Sequence, residues 1–484
     1  MNTAAVTPAA NETTSHQPNP ITDYTSFYSN LAKRLRPSAI RSLYPLASRP
    51  GMLSLFAGLP NPNVFPINHI AFRTTNGSTI EFTDNELRES MQYGPTQGSA
   101  LLIEQWKSIL LRAHQPLHDH NDLTVMVGHG SQDLCCKTID CYCAAGDNVI
   151  IDTYSYPGAV QHFQTVGVNL IGIDNDQNGM ITSHLRDKLH TIYSGGQTVK
   201  AMYLIPTGSN PTGVTISHQR RLEIYSLASQ YNILIFEDDP YYYLSFGSIT
   251  ALSNSSEFIR PVAVPSFFSM DCDGRVIRFD SMSKILSAGL RIGFAVAPSA
   301  MIKPVMMMQS NTNLFAAGPS QIMIQSLLTQ MGYDGFNCHV DRVALFYARR
   351  RDILYKFVRQ YLIIPKLITV DIPIAGMFLW MKINPMALHI NGELTFDSYD
   401  LIIKEALAVN VLMTPGKGFH YQLDAVTDYV RASFSLIPES QMEEAVKRFG
   451  RLLLNRIQEY HDINGNKISN VDVHEDEKMS NGKQ

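Results

Sequence analysis

The sequence predicts an α/β protein: a large domain on a mostly parallel, seven-stranded sheet covered by helices, joined to a smaller α+β domain. Three observations predict it. Seven short apolar runs punctuate residues 124–297. Helical patterns separate many of them. After residue 300 the pattern changes to one long helix followed by shorter strands. Near-continuous apolar strands alternating with helices are buried on both faces, as in a parallel sheet.

The runs are TVMVG (124–128), NVIID (148–152), NLIGI (169–173), AMYLIP (201–206), ILIFED (233–238), RVIRF (275–279) and RIGFAVA (291–297). Between two of them, SHQRRLEIYSLASQY (217–231) puts Leu222, Tyr225, Leu227 and Ala228 on one helical face behind an N-cap, Ser217. Further on, residues 339–362 read as a long helix. Strands follow in GMFLWMKI (376–383) and VRASFS (430–435), with helices near 396–409 and 438–456. The expected organisation is a flexible leader at 1–30 and an N-terminal segment at 31–100 that joins the small domain. The large domain spans 101–335, the small domain 336–458, and a disordered tail 459–484.

Composition narrows the partners. The chain has 484 residues, a formal net charge of -4, 45% hydrophobic and 17% charged residues, an ordinary globular profile. The mild acidity gives no reason to expect nucleic acid or an anionic membrane. No apolar stretch reaches the roughly 18 residues of a membrane span. The first 22 residues carry no Lys or Arg, which argues against a secretory signal or mitochondrial presequence and for a cytoplasmic protein. Cys135, Cys136, Cys141 and Cys143 cluster on one expected helix but lack zinc spacing, so they read as buried small side chains. HQPLHDHND (114–122) holds three histidines and reads as a solvated loop. In DINGNKISN (462–470), Lys467 stands where a calcium loop needs glycine.

Open parallel sheets bind ligands beyond the carboxyl ends of their strands. The residues just past each run are therefore informative. Gly128-His129-Gly130-Ser131-Gln132 comes after the first, Tyr154 and Tyr156 after the second, and TGSNPTG with Asn210 after the fourth. Asp239-Pro240-Tyr241-Tyr242 comes after the fifth, and Ser281, Ser283 and Lys284 after the sixth. Each group suits one part of a phosphorylated aromatic ligand. Ser131 and Gln132 open a helix whose free N–H groups suit a phosphate. Ser281, Ser283 and Arg291 add hydroxyls and a guanidinium to the same anion. Tyr156 could stack on a ring, Asp239 could hold a ring nitrogen protonated, and Asn210 and Tyr242 could bind a phenolic oxygen. Lys284 could condense with an aldehyde. Singly, each residue has an ordinary reading as a turn, a cap or a solvated charge. Together and in this order they describe pyridoxal 5'-phosphate.

NPTG, EDDPYYYL and SMSKILSAGLRIGF resemble the class I/II aminotransferases of the fold-type-I pyridoxal-phosphate superfamily. GLPNPNVFP (58–66), QYGPTQG (92–98), AGMFLWMKI (375–383) and YVRASFSLIPESQMEEA (429–445) are most similar to kynurenine/α-aminoadipate and fungal aromatic-amino-acid aminotransferases. The resemblance runs from about Arg41 to about Leu454. It implies Lys284 as the catalytic lysine and Asp239 as partner of the pyridine nitrogen. Tyr242 and Asn210 fall at the ring hydroxyl, Tyr156 stacks, and Ser131, Gln132, Ser281, Ser283 and Arg291 form the phosphate cup. Arg431 becomes the clamp on the substrate carboxylate, with Asn210 and Gly58 beside the substrate. Tyr93 reaches the neighbouring active site of a homodimer, and residues 31–100 line the substrate mouth. Arg41 sits near a substrate arginine of the subgroup, but its spacing to GLPNP is shorter. His129 stands where a small or aliphatic residue is expected. The implied activity is ping-pong transamination between an amino acid and a 2-oxo acid, with 2-oxoglutarate the expected acceptor. The same ring chemistry also leaves open a lyase. A regulator module would need an upstream helix-turn-helix, for which the leader is short and polar.

Overall fold

All seven apolar runs become strands of one sheet in a computed structural model, which describes residues 18–38, 41–43, 46, 49–53, 55, 58–247 and 261–465. The strands are β1 (Leu123–Gly128), β2 (Asn148–Asp152), β3 (Asn169–Ile173), β4 (Val199–Leu204), β5 (Leu234–Asp238), β6 (Val276–Ser281) and β7 (Gly293–Pro298). Their order is β1-β7-β6-β5-β4-β2-β3. Every residue of β2, β5, β6 and β7 is buried, so these strands show no polar alternation.

Only β7 runs against its neighbours, antiparallel to both β1 and β6. That reversal matters for the site. Residues just past β1, β2, β4, β5 and β6 gather at one edge. The residue two before β7, Arg291, arrives at the same edge from the other direction.

Helices cover the sheet. In α1 (Ala100–His114), Leu102, Trp106, Ile109 and Leu110 are buried on one face, and the Trp106 ring stacks 4.6 Å from Phe294 of β7. Helix α2 (Ser131–Tyr142) starts directly after β1, and α3 (Pro157–Val166) starts after β2. The expected N-cap holds in α4 (His218–Gln230), where Ser217 Oγ accepts from Arg220 N–H at 3.4 Å. The buried face of α4 runs through Arg221 and Ile224 with Tyr225, Leu227 and Ala228. Leu222 lies only half-buried beside it.

Past the large sheet comes α5 (Gly318–Val358), interrupted at Gly332, whose φ of 60° and ψ of -175° break the helix. Phe336 and Val340 belong to the large core, whereas Ala348, Leu354 and Val358 belong to a second core. The helix therefore bridges the expected limit at 335/336. The second core lies under an antiparallel sheet of β8 (Ile368–Val370), β9 (Phe378–Ile383), β10 (Thr414–Pro415) and β11 (Tyr429–Ser433). One face, with Leu379, Met381, Ile383 and Val430, packs into that core together with α6 (Glu439–Ile463). On the other face, Trp380 pairs with Arg431 across β9 and β11.

Two expectations at the termini need correction. Residues 18–30 are not a free leader. Ile21 N–H donates to Asp273 O at 2.8 Å, Tyr24 Oη donates to Gly274 O at 2.6 Å, and Tyr24 and Phe27 are buried in the large core. Ala32 and Leu35 join the same core, so this stretch belongs with the large domain. At the other end, α6 carries regular structure to Ile463, past the expected start of the tail at residue 459. Residues 1–17 and 466–484, including Lys467, lie outside the described residues. No helix among the described residues is long and apolar enough to cross a membrane.

Candidate active site

The phosphate-type anchors meet at the head of α2. Gly130 has φ 84°, and a Cβ there would lie 2.3 Å from Arg291 Nη2. Only glycine lets that guanidinium lie against the chain. Gly293 is equally constrained: a Cβ would come 2.3 Å from Ser131 N, so the first turn of α2 rests directly on β7. Arg291 Nη1 donates to Ser283 Oγ at 3.0 Å, and its Nη2 donates to the carbonyl of His129 at 3.3 Å. Ser283 N–H donates in turn to Ser281 Oγ at 3.2 Å. No side chain caps α2, so its first-turn N–H groups face this cup with the positive end of the helix dipole. The Gln132 side chain is fixed, Nε2 donating to Gly158 O at 2.9 Å. His129 meets the cup through its carbonyl, and its ring Nδ1 lies 2.6 Å from Asn313 Nδ2.

The acid at the end of β5 is not the expected one. Side chains alternate along a strand, so Asp238 and Asp239 point to opposite faces. Asp239 shares its face with Glu237. Its Oδ2 lies 3.2 Å from Arg278 Nη1, and Arg278 also pairs with Glu237 at 3.3 Å and Asp280 at 2.8 Å. Tyr242 is on that side too. Its ring lies under Arg278 at 5.1 Å and against His114 at 4.3 Å, and its hydroxyl donates to Ala113 O at 3.2 Å. Asp239 and Tyr242 thus belong to a buried ionic cluster behind the sheet.

Asp238 lies on the side of Tyr156 and Tyr241. Tyr203 of β4 donates to Asp238 Oδ2 at 2.6 Å, while Asp238 Oδ1 is buried with no hydrogen-bond partner among the described residues. Burial, reinforced by Asp239 and Asp280, pushes its carboxyl up to about 6. Its charge acts on the phenols of Tyr156 and Tyr241, which burial already pushes up. Tyr241, not Tyr242, is the tyrosine on this side, edge-on to Phe378 at 6.1 Å.

Asn210 and Arg431 join the two domains. A Cβ on Gly208 would lie 2.6 Å from Gly376 N, so two backbones touch there and bring TGSNPTG against the start of β9. Arg431 Nη1 then donates to Asn210 Oδ1 at 2.7 Å, leaving the Asn210 amide N–H groups for another acceptor. The guanidinium is sandwiched by Phe378 and Phe419, at 4.2 and 4.6 Å, and its Nε is buried without a partner.

Lys284 comes just after β6 and is half-buried. Burial, then the positive charges of Arg291 and Arg431, hold its amine below the ordinary lysine value. The interactions form a closed circuit. Arg291 acts on Lys284 and Tyr156, Asp238 on Tyr156 and Tyr241, and Arg431 on Tyr241 and Lys284.

The family model described as "Aminotransferase class I and II" matches residues 74–449.

The chain belongs to the class I and II aminotransferases.

This aminotransferase is 34% identical to a mouse protein named kynurenine/alpha-aminoadipate aminotransferase, mitochondrial, over 89% of this chain and 99% of that one. It is 35% identical to the aminotransferase tdiD of Emericella nidulans, over 90% of this chain and 97% of that one. Among solved structures, the aminotransferase Aro8 from Candida albicans superposes with a TM-score of 0.82 at 25% identity, covering 91% of this chain and all of that one. The family depends on pyridoxal phosphate, and the residues present fit it. The Oδ1 of Asp238, unpartnered among the described residues, suits a ring N–H, the uncapped α2 with Arg291 suits a phosphate, and the Lys284 amine, held down by burial and by the charges of Arg291 and Arg431, suits an aldehyde.

Two expected residues, Tyr93 and Gly58, stay apart from this cluster in a single chain, and so does Arg41, whose contact with substrate the sequence left open. Tyr93 is 51% exposed and edge-on to Phe315 at 6.2 Å. Gly58 is exposed with open space around it. Arg41 Nη1 donates to Thr96 Oγ1 at 2.9 Å and Gly94 O at 3.1 Å, not to the Arg431 side. The cysteines are absorbed locally, and His114 is not in a solvated loop: it ends α1, buried, with its Nδ1 2.8 Å from Ser266 Oγ. Cys135, Cys141 and Cys143 lie in the large core, where burial pushes their thiols up, and His118 Nε2 lies 3.1 Å from Asp122.

Proposed function

We propose that this aminotransferase moves the amino group of an aromatic amino acid, kynurenine or 2-aminoadipate to a 2-oxo acid, with 2-oxoglutarate as the expected acceptor, by a ping-pong route. The observation that carries the reading is the Arg431 guanidinium, held between two rings with one nitrogen unpartnered beside Asn210. Donor class is supported by the name of the mouse relative, which states kynurenine and alpha-aminoadipate.

Bound pyridoxal phosphate supplies an aldehyde and an electron-withdrawing ring that stabilises negative charge at the substrate α-carbon. The chain's residues do the rest. Arg431 takes the α-carboxylate with its planar fork and so orients the Cα–H bond. Lys284, its amine held down by burial and two neighbouring cations, removes that proton as general base and returns it as general acid. Asp238 would hold the cofactor's ring nitrogen and keep it charged, Asn210 would offer its amide N–H to the ring oxygen, and Tyr156 would stack on the ring. Ser131, Gln132, Ser281, Ser283 and Arg291 would hold the phosphate. Gly58 lines the substrate mouth.

The half-exposed Tyr93 supports a homodimer in which it reaches the neighbouring phosphate. The test of function is a panel of amino donors with 2-oxoglutarate. Glutamate is expected in equal amount to the donor consumed. Donor loss with release of ammonia or carbon dioxide, and no glutamate, refutes transamination.

Lysine at position 431 would keep the charge but lose the fork and the ring sandwich. Arg431→Lys is expected to raise KM for both amino and oxo acids and to lower kcat/KM by about 10²-fold, the scale of one lost bidentate contact. Unchanged steady-state kinetics would remove Arg431 from the carboxylate site.

A further inference from the structure

Resting on the placement of Asp238 above, we infer that Tyr203 is a positioning residue that reserves one oxygen of Asp238 for the cofactor's ring nitrogen. Tyr203 is fully buried on β4, one strand from Asp238. Its backbone pairs with Phe236, two residues before Asp238 and on the same face of the sheet. Phe163 of α3 packs edge-on against its ring at 5.9 Å and fixes its direction. The hydroxyl donates to Oδ2 at 2.6 Å and is the one hydrogen-bond donor to Asp238 among the described residues.

The consequence is geometric. A carboxylate can rotate about its Cβ–Cγ bond and offer either oxygen. A short bond from a rigid phenol stops that rotation. Oδ2 is then occupied, and Oδ1 is left buried with an open acceptor site. Charge adds a second effect. Asp239 and Asp280 lie behind Asp238 and oppose its ionisation, while the Tyr203 hydrogen bond favours it. Burial pushes the Tyr203 phenol well up, so it remains a donor throughout the working pH range. Without it, Asp238 would more often carry its own proton and could not pair with a cationic ring.

The test uses the full-length protein and three variants: Tyr203→Phe, Asp238→Asn and the double variant. Cofactor dissociation constants are measured by titrating the cofactor-free proteins with pyridoxal phosphate, and the absorbance spectrum of the bound cofactor is recorded. Tyr203→Phe is expected to weaken cofactor binding about tenfold or more, the scale of a hydrogen bond to a charged group, and to alter the spectrum. It is also expected to lower kcat with little change in KM for either substrate. In the Asp238→Asn background the same change is expected to have almost no further effect on affinity, because Tyr203 acts through Asp238. Equal weakening in both backgrounds means that Tyr203 supports only packing, and overturns the proposal. Wild-type affinity and spectrum in Tyr203→Phe overturn it too. If Asp238→Asn itself binds cofactor as the wild type does, the placement of Asp238 fails and this inference fails with it. The melting temperature of each cofactor-free variant separates a general loss of folding from these outcomes.

Discussion

Asp238→Asn is expected to cut turnover by about 10²–10³-fold, the scale of one preorganised charge removed from where charge develops, while Asp239→Asn leaves turnover nearly intact. Both acids are buried and adjacent in sequence, so the contrast isolates direction. Asp238 accepts from Tyr203 and acts on Tyr156 and Tyr241, whereas Asp239 pairs with Arg278; among the described residues each keeps one buried oxygen without a hydrogen-bond partner. Asparagine at 238 keeps the shape but not the charge, so the ring nitrogen loses its counter-ion and cofactor affinity falls. Asparagine at 239 removes one of three carboxylates around Arg278, and Glu237 and Asp280 remain. Its cost is expected in stability, about 1–3 kcal/mol, less than when a buried charge loses its only partner. Steady-state kinetics with denaturant melts of both variants decide it. A large kinetic loss in Asp239→Asn with none in Asp238→Asn would restore the opposite assignment.

The pH dependence of Asp238 gives a second reading of the same site. Burial raises its folded pKa from the ordinary aspartate value to about 6. In the cofactor-free protein the native state therefore binds the extra proton between about pH 4 and 6. Stability from this group is present below that window and declines as pH rises through it. A cationic ring beside Oδ1 reverses the preference. Cofactor affinity is expected to weaken as pH falls through about 6, and that limb should be missing in Asp238→Asn.

The seven strands were legible because burial on both faces makes their sequences continuously apolar. That same continuity hid two things. In β7 it concealed chain direction, since an apolar strand reads alike parallel or antiparallel. In β5 it concealed which face meets the ligand. FEDDP carries acids on both faces, and parity puts Asp238 and Asp239 on opposite sides without naming the outward one. The naming residues lie on other strands: Tyr203 on β4 for one face and Arg278 on β6 for the other. Tyr242 was displaced along with Asp239, because its spacing was counted from that acid. Arg431 was legible by position, but the rings of Phe378 and Phe419 that hold it come from sequence far apart. The docked segment 18–30 was missed because Tyr24 and Phe27 are isolated apolar residues in polar sequence, with no period to betray them.

Lys284→Ala is expected to lower transamination by on the order of 10⁴-fold, because in the proposed mechanism Lys284 is both the cofactor's covalent anchor and the group that moves the α-proton. The structure explains why no neighbour can substitute. The charged groups that act on Lys284 are Arg291 and Arg431, and a guanidinium does not give up its proton to serve as a base. The nearest tyrosines of the circuit, Tyr156 and Tyr241, have phenols pushed further from neutrality by burial. The phosphate cup does not use the lysine. Ser281, Ser283, Arg291 and the head of α2 keep their mutual contacts without it, so the variant is expected to fold and to bind cofactor non-covalently. Adding a small primary amine should restore part of the rate, since the missing function is an unhindered base. Measuring single-turnover proton exchange at the donor α-carbon, with and without that amine, separates lost chemistry from lost binding. Near-normal exchange in the variant alone would place the proton-moving base elsewhere in the cleft.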